Sequence, residues 1–281
     1  MKPVRVTSLL VLLTMLAACN FPASGSPSPT PERPPTLTSR PGPTDTVEAP
    51  SPAPATPSGP KRSEEAILIL EPGPGSRLTN PVHVAGISDP TFEQTLAVRI
   101  VLDDGTELAA QPVSIDAELG QRGPFEADIP FALSGERQAL IQVFDVSARD
   151  GGVIHLASVG VRLGAGGAQS IVPGAPHPED LIVDQPAFGA TVSGGVVHVE
   201  GFGLASFEGT LVIAVYDIGG IEVGSQPITV DAPDMGLPGP FSADVPYTVT
   251  EAGPGRITVT DPLPVFNGIS HVSSVEVTLE P

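Results

Sequence analysis

Five histidines occur in the 281-residue chain, and four of them sit at matching places in two related stretches: His83 with His198, and His155 with His271. Imidazoles bind metals and carry protons near neutral pH, so recurring pairs invite a metal or pH-sensing reading. His83 lies between Val82 and Val84, and His198 between Val197 and Val199. In a strand this turns each ring away from the face the valines bury. His155 and His271 open a late strand in phase with its buried face, and they are the chain's candidate metal ligands. Two ligands without a third make a poor zinc site, so a strand-end histidine bonded to a neighbouring loop is the plainer expectation. Acids recur as well: Glu93 with Glu208, Asp116 with Asp231, Asp128 with Asp244, and Asp145 with Asp261. Active sites seldom come in two equivalent copies on one chain, whereas the turns and caps that fix a fold must. The chain has no G-x-S-x-G, H-E-x-x-H, C-x-x-C or phosphate-binding loop. It also lacks the D-x-[DN]-x-[DN]-G calcium loop, and Asp103-Asp104 faces Ile218-Gly219 in the second copy. The expectation is therefore a protein with no catalytic residue and no cofactor. The alternative is a metal-dependent or hydrolytic envelope enzyme built on the repeated acids and histidines.

The one thiol, Cys19, has a different context. Lys2 and Arg5 precede an apolar run of about nine residues from Ser8 to Leu16, the layout of a secretory signal peptide and too short for a bilayer span of roughly 20 residues. Leu16, Ala17, Ala18 and Cys19 then resemble the lipobox of bacterial lipoproteins. That resemblance implies cleavage before Cys19, lipidation of its thiol, and an extracytoplasmic protein anchored to a bacterial membrane or cell surface. Two or more acyl chains on one residue give stable anchoring where one is marginal.

The elements that position the histidines follow a stalk. Residues 19–64 are dominated by Pro, Ser, Thr, Ala and Gly, a composition that buries too little apolar surface to offset the entropy of ordering, so a disordered Pro-rich stalk is expected. The remainder is a duplication in a register near 115 residues. GSRLTNPVHVAG (75–86) recurs as GATVSGGVVHVEG (189–201), GPFEADIPF (123–131) as GPFSADVPY (239–247), and HLASVGVRL (155–163) as HVSSVEVTL (271–279). Two domains result, 65–163 and 180–281. The Gly- and Pro-rich linker 164–179 between them suggests some relative freedom. Each copy reads as seven short strands rich in Val, Ile and Leu and bounded by turn residues, such as Asp104-Gly105 and Gly219-Gly220. No stretch has a helical period. The fold class expected is all-β: two tandem immunoglobulin-like β-sandwich domains after a signal peptide (1–18) and the stalk. Neither copy has a Trp or an inter-sheet Cys pair, so the antibody pattern is excluded. The recurring aromatics, Phe92 with Phe207, Phe125 with Phe241 and Phe131 with Tyr247, read as core or sheet-rim packing.

Four ordered segments resemble the immunoglobulin-like domain of bacterial spore-germination proteins. They are Pro72 to Thr79, Val82 to Gly86, Phe92 to Leu96 and Gly123 to Ala127 in the first copy. In the second they are Pro186 to Ser193, Val197 to Gly201, Phe207 to Leu211 and Gly239 to Ala243. The resemblance implies an extracytoplasmic sandwich often carried by lipoproteins, and it supplies no catalytic residue. Charge bears on partners: 13 basic residues stand against 32 acidic ones, and loss of Lys2 and Arg5 with the leader brings the balance to about −21. Such a surface repels nucleic acid and anionic headgroups. The expected partners are the membrane, through lipid on Cys19, and an unidentified envelope protein or cell-wall ligand. The expected role is a non-catalytic binding or scaffolding module.

Overall fold

The computed structural model describes residues 63–281, and every regular element there longer than three residues is a strand. The expected signal peptide, the expected lipobox with Cys19, and nearly all of the expected stalk lie outside the described residues. Among those described, no helix is long and apolar enough to cross a membrane.

The first repeat contains β1 (Ile67–Glu71), β2 (Arg77–Thr79), β3 (Val82–Ser88), β4 (Thr95–Leu102), β5 (Glu107–Ser114), β6 (Gly123–Ile129), β7 (Glu136–Val146) and β8 (Val153–Gly164). One sheet has the order β1-β3-β6. The other runs β5-β4-β7-β8, with β2 parallel to β8. Alternation explains why these segments are strands: Val82, Val84 and Gly86 are buried on β3 while His83 faces water, and Ala157, Val159, Val161 and Leu163 are buried on β8. The inward residues of both sheets, among them Val84, Phe125, Ile100, Ile141 and Val159, form one core. Each such side chain contributes about 1.5–3 kcal/mol by leaving water.

The second repeat uses the same plan with β9 (Leu181–Gln185), β10 (Thr191–Val192), β11 (Val196–Gly203), β12 (Thr210–Tyr216), β13 (Glu222–Thr229), β14 (Gly239–Pro246), β15 (Gly253–Leu263) and β16 (Gly268–Leu279). Its sheets are β9-β11-β14 and β13-β12-β15-β16, with a separate core that includes Val199, Ile213, Phe241 and Ile257.

The repeated motifs now have physical causes. Gly86 lies opposite Phe125 across the β3–β6 ladder, and Gly201 lies opposite Phe241 across β11–β14. A Cβ on Gly86 would come within 2.5 Å of the Phe125 ring and 2.2 Å of the Leu68 carbonyl, so the glycine is the space the ring occupies. The F-E-x-T segment makes a left-handed turn into the next long strand, with Glu93 at φ 55° and Glu208 at φ 50°. Phe125, Phe131, Phe241 and Tyr247 are buried, whereas Phe92 and Phe207 project into solvent and do not pack in the core.

The linker differs from the freedom expected of it. Ser170 bridges to Arg77, the Gly73 N–H donates to the Val172 carbonyl at 2.6 Å, and the Gly174 N–H donates to the Leu70 carbonyl at 2.7 Å. Its glycines serve close approach: a Cβ on Gly174 would meet the Ile69 carbonyl at 2.5 Å. Residues 170–174 therefore run bonded along β1 and β2 of the first repeat instead of swinging between domains.

Candidate functional site

β8 and β16 meet where they begin. Leu156 pairs with Val272 in antiparallel register, which joins the four-stranded sheets of the two repeats into one continuous sheet. Leu156 and Val272 are both buried where the two strands pair, and they are apolar residues of this junction. The junction is reciprocal. The Glu65 N–H donates to the His177 carbonyl at 3.1 Å, and the Glu179 N–H to the Ser63 carbonyl at 2.9 Å. Matched residues thus exchange matched bonds, as a local twofold between the repeats requires.

On this local axis His155 and His271 come together, their ring centroids 5.1 Å apart and their planes 88° to one another. Two carboxylates join them. His155 Nε2 lies 3.0 Å from Glu65 Oε1 and 3.7 Å from Glu179 Oε1. His271 Nε2 lies 3.0 Å from Glu179 Oε1 and 3.6 Å from Glu65 Oε1. The second oxygen of each carboxylate crosses to the other repeat. Glu179 Oε2 accepts from the Ala66 N–H at 3.0 Å, and Glu65 Oε2 accepts from the Asp180 N–H at 3.1 Å. Glu65 is 0% exposed, Glu179 7% and His271 5%. Burial pushes the Glu179 carboxyl upward, but the His271 hydrogen bond, the charges of both histidines and the Ala66 N–H outweigh it and hold the group below its ordinary range. Burial likewise opposes charge on His271, and the Glu179 hydrogen bond with the Glu65, Glu179 and Asp180 charges overcomes it and raises the imidazole.

A second polar network crosses the same junction. The turn between β7 and β8 carries Asp150, which takes a 2.9 Å bond from Arg256 NH1 of the second repeat. Both side chains are almost wholly buried, at 1% and 2% exposure. Arg149 bonds Glu276 across the boundary, and Gln142 Nε2 donates to the Ile269 carbonyl at 2.6 Å. A Cβ on Gly152 would meet the Arg256 guanidinium at 2.1 Å, so that glycine makes room for the cation.

The structure thus brings His155 and His271 together and keeps the other pair apart. His83 and His198 are exposed and bond Asp128 at 2.9 Å and Asp244 at 2.6 Å on the adjacent strand. The other recurring acids also sit in structural places. Asp261 accepts from the Ser206 N–H at 2.9 Å, and Asp145 and Asp261 are both shifted upward by burial. Asp103 and Asp104 bond Arg137 in the β4–β5 hairpin. Glu65 and Glu179 are what sequence reasoning missed. Their signal is a glutamate in each copy just ahead of the opening strand, in Glu65-Ala66-Ile67 and Glu179-Asp180-Leu181.

The stretch from β1 to the turn after β7, residues 66–152, matches the family model described as the immunoglobulin-like domain of bacterial spore germination. The match lies within the first repeat and covers under a third of the chain. The matched stretch supplies Asp150 to the junction, and the first repeat's final strand, beyond that stretch, supplies His155. A comparison with curated proteins gives no match. Solved structures similar to the chain include latent dimeric PorU from Porphyromonas gingivalis, at 11% identity and TM-score 0.24, over 77% of this chain and 24% of that one. A chimeric titin Z1Z2 tandem has 14% identity and TM-score 0.22, over 76% and 100% of the two chains. Bovine butyrophilin has 12% identity and TM-score 0.22, over 76% and 99%. The chain spans about a quarter of the PorU chain, and likenesses this distant say nothing about ligands or partners.

Proposed function

We propose that the protein is a lipid-anchored extracytoplasmic scaffold whose two immunoglobulin-like domains act as one stiff, non-catalytic binding unit in the cell envelope. The observation that carries this reading is the junction, where a shared sheet, a buried reciprocal His–Glu cluster and the Arg256–Asp150 pair fix one domain against the other. A unit of that kind holds two surfaces at a set separation, which suits binding and assembly. Support for anchoring comes from Leu16-Ala17-Ala18-Cys19 behind a short apolar leader. The acidic balance favours a protein or wall ligand over nucleic acid. The His–Glu cluster, buried on a sheet junction, offers a polymer substrate no approach, which disfavours the hydrolytic alternative.

Two measurements test the proposal. A Cys19→Ala chain should carry no lipid and should not be cut before residue 19; normal processing with membrane retention would refute the anchor. Capture from envelope extract with the full chain as bait should retain a saturable partner without turning it over. Conversion of envelope material that depends on His155 and His271 would instead establish the enzyme reading.

A further inference from the structure

We propose that the junction of the two repeats binds one divalent transition metal ion, zinc by its donor set, in a four-coordinate structural site made by Glu65, His155, Glu179 and His271. The inference does not depend on the anchoring or binding role above. It begins from the spacing of the ligand atoms. One atom from each of the four residues can be chosen so that all lie within 4.8 Å of one another. Zinc bound at about 2.0–2.2 Å to N and O donors in a tetrahedron needs N···O edges of about 3.3–3.4 Å. The four edges here, from 3.0 to 3.7 Å, bracket that value. Ring placement gives an independent check. Two imidazoles bound through Nε2 at the tetrahedral angle have centroids about 5.2 Å apart, and the rings stand 5.1 Å apart.

The surroundings suit a metal as well. Each ligand carboxylate uses Oε1 toward the cluster and has Oε2 held by a backbone N–H of the opposite repeat. That is the outer support that orients metal ligands in general. A dication among two carboxylates and two neutral imidazoles has no net charge, so burying the set carries no unpaired charge. Two clefts reach the cluster, one lined by Glu65 and His271 and the other by His155 and Glu179, and they give an ion a way in. Four protein ligands close the tetrahedron and leave no position for water or substrate, which makes the site structural. Each repeat supplies one His and one Glu, so half a site exists until the repeats dock.

The test uses the purified full chain, stripped with a chelator and titrated with cobalt(II) and then with zinc(II). The expected result is one ion per chain by elemental analysis and, for cobalt, the visible spectrum of a tetrahedral site that zinc displaces. Glu65→Gln and Glu179→Gln retain an oxygen acceptor for the backbone bonds, so both variants should fold by circular dichroism. Each should lower affinity by about 100-fold or more, beyond the loss typical of an outer-shell change. His83→Ala, on an exposed histidine of β3 that bonds Asp128, should bind as the parent does. Binding well below one ion per chain, an octahedral cobalt spectrum, or affinity unchanged in both glutamine variants would overturn the proposal. The parent's stoichiometry and spectrum decide the matter even if a variant fails to fold.

Discussion

Truncating Asp150 to alanine strips a buried cation of its partner. Arg256 is 2% exposed, its NH1 bonds Asp150 Oδ1 at 2.9 Å, and its Nε has no hydrogen-bond partner among the described residues. Removing one member of a buried ion pair costs about 3–5 kcal/mol, because the remaining charge stays desolvated. Glu276 Oε1 lies 3.7 Å from the same nitrogen and is only 30% exposed, so it compensates in part. The lower end, about 3 kcal/mol, is the expected loss for Asp150→Ala. The first repeat shows how to recover it: the place of Arg256 is taken there by Leu140, which is buried without a charge. Adding Arg256→Leu should therefore return the double variant to within about 1 kcal/mol of the parent. Urea unfolding of the full chain, followed by circular dichroism, measures the cycle, and m should stay constant if only stability changes. A loss under about 1 kcal/mol for Asp150→Ala, or a double variant as weak as the sum of the singles, would refute the reasoning. Acid offers a second reading of the same pair. Burial pushes the Asp150 carboxyl upward, but Arg256, the Gly152 N–H and Ser147 outweigh it and hold the group far below the carboxylate range. A depressed folded value stabilises above the unfolded pKa of about 4 and is lost as pH falls toward the folded value. The parent should thus lose more stability below about pH 4 than the Asp150→Ala, Arg256→Leu double variant.

Gly86→Ala and Gly201→Ala should each lower stability by about 2 kcal/mol or more in a thermal melt, since the added methyl meets a backbone carbonyl at 2.2 and 2.1 Å. Glu208→Gly should raise it by about 0.5 kcal/mol, because Glu208 is exposed and held at φ 50°; a loss on urea titration would show that its side chain matters. Residues 63–281 should melt as one calorimetric transition, because separating the repeats would expose Leu156 and Val272 together with two ionic networks. Two resolved transitions would show a weaker junction than the geometry implies.

The strands were legible because burial alternates along them, and the duplication supplied a second reading of every segment. Val82-x-Val84-x-Gly86 and Gly123-Pro124-Phe125 could be matched across copies long before the reason, a ring filling a glycine's space, was visible. Phe92 and Phe207 recur without being buried, because what recurs there is the left-handed turn beside them. The linker misled for a related reason. Glycine reads as flexibility in sequence, but at Gly73 and Gly174 it lets two backbones approach closely. His155 and His271 stand out by recurrence but look short of ligands in sequence, because one copy holds only half of the four-residue cluster.

That last gap has a physical origin in the symmetry of a duplicated chain. Any residue near the start of one copy's final strand approaches its counterpart when the copies meet about a local twofold, so one His and one Glu per copy become a group of four. The way each glutamate divides its oxygens makes the docking specific. Oε1 serves its own repeat's histidine while Oε2 accepts from the other repeat's backbone, so neither carboxylate is fully bonded unless both domains sit in one orientation. Apolar contact between Leu156 and Val272 favours association but tolerates sliding, as nonpolar surfaces do. The buried polar group does not tolerate it, since a small displacement leaves carboxylates desolvated and unpaired. Arg256 then breaks the symmetry: only the second repeat carries the cation and only the first supplies Asp150. Apolar contact thus favours the docking and charge sets its geometry, the division of labour expected of two domains built to stay at a fixed angle.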